Sequence, residues 1–212
     1  MTETSLNVVI PIFPGFTALD AIGPYEVLRL LPGATITFAA PDPGILQTDS
    51  GAVGLHASAS LSDIEAADIL VVPGGHGTRP LMKDEAMLDW VRAIHQTTQW
   101  TTSVCTGSLV LAAAGLLDGL DATTHWGQVE LLEKHGAHYT AERVVRQGKI
   151  VTAAGVSSGI DMALTLAALV AGDDIAKAIQ LAIEYDPQPP FDAGSPAKAG
   201  PAIIKLAKEA LQ

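Results

Sequence analysis

Cysteine is nearly absent, with one in 212 residues. That excludes an intrachain disulfide and any cysteine-rich zinc or iron–sulfur centre. Basic residues are scarce as well: 12 Lys and Arg stand against 23 Asp and Glu, for a formal net charge of −11. Scattered as they are, these cations form no stripe that could follow a phosphate backbone or an anionic lipid surface, so neither nucleic acid nor membrane is expected as a partner. Long hydrophobic runs are missing too. The longest, from Ile160 to Gly172, carries Asp161 and falls short of the ~20 apolar residues a membrane span needs. The opening residues MTETSLNVVIPIF hold neither a basic leader nor a small-residue cleavage pattern, and the expected location is the cytoplasm. None of the six histidines stands at metal-ligand spacing from another, so no metal site is expected.

What is present is apolar. Hydrophobic residues make up 48% of the chain and charged ones 17%, so much of the surface belongs inside a core or a subunit interface, which points to a homo-oligomer. The length suits one domain over residues 1–212, with an α/β core over 1–185 and a proline-rich segment plus C-terminal helix over 186–212. Short β-rich runs alternate with helical patterns: LNVVIPIF, then TALDAIGPYEVLRLL; TITFAA; DILVVPGG, then DEAMLDWVRAIHQ; WTTSV, then GSLVLAAAGLL. Continuous apolar runs suit strands covered on both faces, hence a doubly wound, mostly parallel sheet with helices on both faces. Two hairpins interrupt the rhythm, one between Pro41 and Ala59 and one at ERVVRQGKIVTAAG with Gln147-Gly148 as its turn. SSGIDMALTLAALVAG reads as the last core helix, capped by Ser157 or Ser158 and ended by Gly172. Four prolines keep EYDPQPPFDAGSP irregular, and PAIIKLAKEAL reads as a short helix that begins with proline.

In open parallel sheets ligands collect beyond the carboxyl ends of the strands, and three segments bring chemistry there. Cys105 sits at a sharp strand-to-helix change with Gly107 two residues on, an elbow that forces a positive φ and exposes the side chain at the sheet top. The helix that follows adds positive potential, so the expectation is an anionic, reactive sulfur. Gly74 and Gly75 in VVPGGHGT supply backbone N–H groups suited to an oxyanion hole. Asp20 reads either as a helix cap or as a carboxyl held against Cys105, in which case two anions in a dry site would share one proton. Glu26 is the rival carboxylate, placed mid-helix. His76 and His125 are the auxiliary candidates, since either could pair with Cys105.

The stretches PGFTALDAIGPYEV, VVPGGHG, SVCTGSLVLAAAGLLDGLDATTHW and AAGVSSGIDMALTL together resemble the ThiJ/PfpI superfamily over about residues 6–185. That resemblance implies a flavodoxin-like fold with a cysteine at a nucleophile elbow. Several branches share these motifs, including domains of transcriptional regulators, but no helix-turn-helix follows in this sequence. Asp at position 20, Thr106 directly after the cysteine and the EYDPQPPFDAGSP tail resemble the isocyanide hydratase branch. The implied protein is a cofactor-free homodimeric lyase acting on a small, neutral, hydrophobic isocyanide. In it Cys105 is the nucleophile, Asp20 the acid and Thr106 an assisting hydroxyl, with amides near Gly75 and Thr106 polarising the reacting group. A soft sulfur adds to the terminal carbon, a proton follows from Asp20, and water releases an N-formamide from the thioimidate. Two alternatives stay open: a cysteine-dependent glyoxalase or deglycase, favoured by His125, and a redox-responsive protein that uses oxidised Cys105.

Overall fold

The apolar run LNVVIP forms β1 (Leu6–Pro11), buried at every position but Asn7. A strand buried on both faces belongs in the middle of a sheet, and β1 lies between β2 (Ala34–Ala40) and β6 (Ile69–Val72), parallel to both. The computed structural model describes residues 5–210, and its seven-stranded sheet runs β10-β11-β7-β6-β1-β2-β5. Its remaining members are β5 (Ala59–Ser60), β7 (Trp100–Val104), β10 (Val144–Gln147) and β11 (Ile150–Ala153). Every neighbouring pair is parallel except β10 with β11. The doubly wound architecture expected from the sequence is the one observed.

Helices cover both faces. α1 (Ala18–Leu28), α6 (Ser158–Ala171) and α7 (Asp173–Ala182) bury Val27, Leu28, Met162, Leu166 and Ile179 in a core with Val8 and Ile10. On the other face α3 (Glu85–Thr97), α4 (Gly107–Ala113) and α5 (Val129–Lys134) bury Leu88, Val91, Leu109, Leu111 and Leu132 against Val9, Leu70 and Val72. The short α2 (Thr78–Leu81) leads into α3. Small pairings complete the fold: the antiparallel hairpin β3 (Gly44–Gln47) with β4 (Gly54–Ala57), and the parallel bridge β8 (Asp121–Ala122) with β9 (His138–Tyr139).

Three boundaries differ from the sequence reading. The second hairpin turns on Gly148-Lys149, not Gln147-Gly148, because Gln147 still pairs with Ile150 and it is Gly148 that takes the positive φ of 59° a tight hairpin requires. α4 stops at Ala113, since Gly115 at φ 78° turns the chain before Leu116 and Leu117 can join it. Ser157 occupies the N-cap position of α6 without capping it; its hydroxyl accepts from Arg143 instead. The C-terminal stretch α8 (Pro196–Ala210) is broken at Gly200, so the regular helix begins at Pro201, as the proline predicts.

Candidate active site

β1, β6, β7 and β11 all end at one edge of the sheet, and the order of winding reverses between β1 and β6. Crevices in doubly wound sheets open at such a reversal. From β7 the chain enters Cys105, whose φ of 56° is among the few positive values at non-glycine residues. A left-handed cysteine costs roughly 1–3 kcal/mol and persists only where neighbours over-determine it. Here the Cys105 N–H donates to the carbonyls of Ala153 (3.1 Å) and Ala154 (2.9 Å), while its own carbonyl accepts from the Ser108 and Thr124 hydroxyls, each at 3.1 Å.

Asp20 comes from the first turn of α1 and is fully buried. The cap reading is corrected: Thr17 is the N-cap, and Asp20 Oδ2 accepts from the Gly74 N–H across the sheet edge at 2.9 Å. Its Oδ1 is buried without a hydrogen-bond partner among the described residues. The Cys105 thiol lies close enough for each group to move the other's titration, though without the geometry of a formed hydrogen bond. Glu26, the rival, instead pairs with Arg29 at 2.7 Å on the outer surface of α1.

The expectation of an exposed, anionic sulfur does not hold. Cys105 is 5% exposed, and its thiol is pushed up to about 12, first by burial and then by the negative charge of Asp20. The amides of Val156 and Thr106 face the sulfur and pull the other way, but they do not outweigh the loss of water. Burial likewise raises Asp20 from 3.8 to about 7, against the lowering effect of the Gly74 N–H. Above neutrality the pair therefore carries one proton between them, resting mainly on sulfur.

The oxyanion role expected for Gly74 and Gly75 also needs correcting. Gly74 N–H is committed to Asp20, and Gly75 N–H donates to Thr106 Oγ1 at 2.8 Å. Thr106 Oγ1 donates in turn to the Gly75 carbonyl at 3.2 Å, so the hydroxyl is absorbed in bracing the glycine turn. A buried N–H without water must find an acceptor inside the protein, and these two have found theirs. Only glycine fits at 74: a Cβ there would lie 2.6 Å from Thr106 N and 2.7 Å from Asp20 Oδ2. The amides that face the sulfur belong to Thr106 and Val156, and Val156 escaped the sequence reading. Its φ of 26° is extreme for a β-branched residue, yet the letters AAGVSSG announce only a glycine before a helix.

The two auxiliary histidines do not join the pair. His76 is exposed and turns to Arg79, 3.3 Å away. His125 accepts from the Gly127 N–H at 3.2 Å and packs against Gly155; burial lowers its pKa. Among the described residues no group of three or more His, Cys, Asp or Glu is placed to hold a metal, and no helix is long and apolar enough to cross a membrane.

The DJ-1/PfpI family model matches residues 6–169. An isonitrile hydratase from Pseudomonas putida is 43% identical over 205 residues, covering 97% of this chain and 90% of the relative. The crystal structure of a ThiJ/PfpI family protein from Pseudomonas syringae superposes with a TM-score of 0.92 at 35% identity, over 99% of this chain and 86% of that one. Drosophila melanogaster DJ-1beta shares the fold at a TM-score of 0.78 and 22% identity, over 85% of this chain and 98% of its own.

Proposed function

We propose, from the premise that the chain belongs to the DJ-1/PfpI family, that it hydrates isocyanides to N-formamides through a covalent adduct on Cys105. The observation that carries this reading is a one-proton pair of thiol and carboxyl, with Asp20 Oδ1 left without a donor among the described residues, on a cysteine only 5% exposed. A nucleophile so enclosed suits a slender group that reacts at its tip, and the terminal carbon of an isocyanide is one. Among the described residues no Lys or Arg shifts either group of the pair, which favours a neutral substrate over a carboxylate or phosphate.

The chemistry then balances with the residues at hand. As Sγ bonds to the isocyanide carbon, the thiol proton passes to Asp20 and on to that same carbon, giving the thioimidate R–N=CH–S. Asp20, again anionic, takes a proton from the incoming water as its oxygen joins the carbon, and that proton reaches the nitrogen. Collapse of R–NH–CH(OH)–S forms the carbonyl, breaks the C–S bond and returns the hydroxyl proton to sulfur. The Thr106 and Val156 amides favour sulfur while it carries charge, at attack and again at expulsion.

We read the whole chain as one domain that works as a homodimer in the cytoplasm. A single thiol with no disulfide partner in the chain fits a reducing compartment. The dimer is supported by apolar side chains left on the surface, Leu181 and Phe191 at 78% exposed and Leu206 at 60%, and by a groove of about 410 Å³ whose lining includes Leu19, Ile22 and Ile160 but none of the site residues. The function is tested by formamide release from an aromatic isocyanide, with a glyoxal run beside it. Formamide from the native protein and none from Cys105→Ala is expected. Turnover of the glyoxal alone, or formamide from the alanine variant, would overturn the reading.

A further inference from the structure

The turn before α6 meets Cys105 directly: the carbonyls of Ala153 and Ala154 accept from the Cys105 N–H at 3.1 and 2.9 Å, and two residues on Val156 takes a backbone conformation that a β-branched residue avoids. Something has to hold it there, and the contacts around it name the brace. Arg143, just before β10, lies against the N-terminus of α6. Its Nη2 donates to Ser157 Oγ at 3.2 Å, its Nε pairs with Asp161, and its carbonyl accepts from the Ala154 N–H at 3.0 Å. The Tyr185 hydroxyl closes the cluster by donating to Asp161, 3.2 and 3.3 Å from its two oxygens. Residues 154 and 157, on either side of Val156, are thus both tied to Arg143. Inside the turn the Ser158 hydroxyl donates to the Gly155 carbonyl at 2.9 Å, and His125 packs against Gly155 from the other side.

We infer that Arg143, through Ser157, Asp161 and Tyr185, is a positioning residue that holds the turn of Ala154 and Val156 against Cys105 and so sets how readily its sulfur accepts negative charge. An ion pair with its arginine side chain 48% exposed adds little to stability in itself. Its value would lie in geometry: a planar guanidinium reaches a carboxylate and a hydroxyl at once, which an ammonium cannot do with the same register. Nothing in the hydration chemistry calls for a cation 38 residues from the nucleophile, and none of these four side chains touches the reacting sulfur.

Alkylation of Cys105 by iodoacetamide reads the effect without any isocyanide. The S–C bond forms, iodide leaves and the thiol proton goes to Asp20. The groups acting on the sulfur are Asp20 from α1 and the amides of Thr106 and Val156; Asp49 of the β3–β4 loop acts on Asp20 in turn, while Asp161 and Tyr185 act on Arg143. The alkylation rate should rise as the pair loses its first proton, near pH 7, and level off above it. In Arg143→Gln the midpoint should stay while the plateau falls about tenfold, the weight of one hydrogen bond to a charged acceptor. Arg143→Lys should fall between the two. A plateau equal to that of the native protein in Arg143→Gln overturns the inference, as does a loss of the same size in Arg92→Gln, which breaks an ion pair with Asp89 on the opposite face of the sheet and serves as a remote control. If Arg143→Gln does not fold, Ser157→Ala carries the test: it removes one strand of the brace, and an unchanged plateau there is equally fatal. The inference rests on Cys105 as the reactive group; a lowered plateau together with no formamide from the native protein would leave the brace standing and remove the hydration reading.

Discussion

At the scale of single residues the proposed chemistry falls to Asp20 and Cys105, and their burial makes it depend on pH. A carboxyl raised from 3.8 to about 7 prefers its neutral form in the folded protein. Stability from this group is therefore fully present below 3.8 and is lost as pH rises toward 7, by on the order of 4 kcal/mol. Asp20→Asn keeps an acceptor for Gly74 N–H and never acquires the buried charge. Its melting temperature relative to the native protein should climb between pH 4 and pH 7 and then level off; a difference that stays flat over that range would show that Asp20 is not buried as an acid. The same substitution should abolish formamide release, because no group then takes the thiol proton. Turnover itself should rise through about pH 7 in the native protein, where the pair drops to one proton; a rate that falls through that pH would require the doubly protonated form. The identities of Cys105 and Asp20 as candidates are legible in the sequence, from an elbow spacing and a lone carboxyl in an apolar segment. Their protonation is not, since desolvation is a property of the packed site.

At the scale of elements, the site depends on how closely α4 approaches the sheet. A Cβ on Gly107 would run into the Val72 carbonyl, with the Pro73 carbonyl 2.9 Å away, so the first turn of α4 rests on the end of β6. Gly107→Ala must push the helix out or bend the strand. We expect a loss of about 3 kcal/mol, seen as a drop of roughly 6–12 °C in melting temperature, together with weakened activity because Thr106 moves with the helix. Gly74→Ala should differ. Its new methyl meets Thr106 and Asp20 rather than the sheet, so the activity loss should exceed what the change in stability accounts for. Thermal melts and formamide assays on the two variants separate these outcomes, and equal losses in both measures would refute the distinction. The βα rhythm that places these elements reads directly from apolar runs, because a strand covered on both faces needs unbroken side chains of one kind. The hydrogen bonds of Gly74 and Gly75 do not, because the acceptors these amides meet come from α1 and from the turn after β7, distant in the chain.

At the scale of the whole molecule, a chain with net charge −11 still leaves Leu181, Phe191 and Leu206 on its surface. Light scattering should therefore return twice the 21.9 kDa chain mass at micromolar concentration, and a monomer there would remove the dimer. The sequence by itself determined the layered architecture, the sheet edge at which chemistry gathers and the residue types delivered to it. Periodicity, turn residues and the strand-to-helix elbow are local properties, written within a few residues of where they act. Only the tertiary structure decided that the thiol rests protonated, that the glycine amides are already spent, that Val156 stands on the sulfur and that Arg143 stands behind Val156. Those facts join residues 13 to 85 positions apart in the chain, and no local pattern encodes the water that is lost when such segments close on one another.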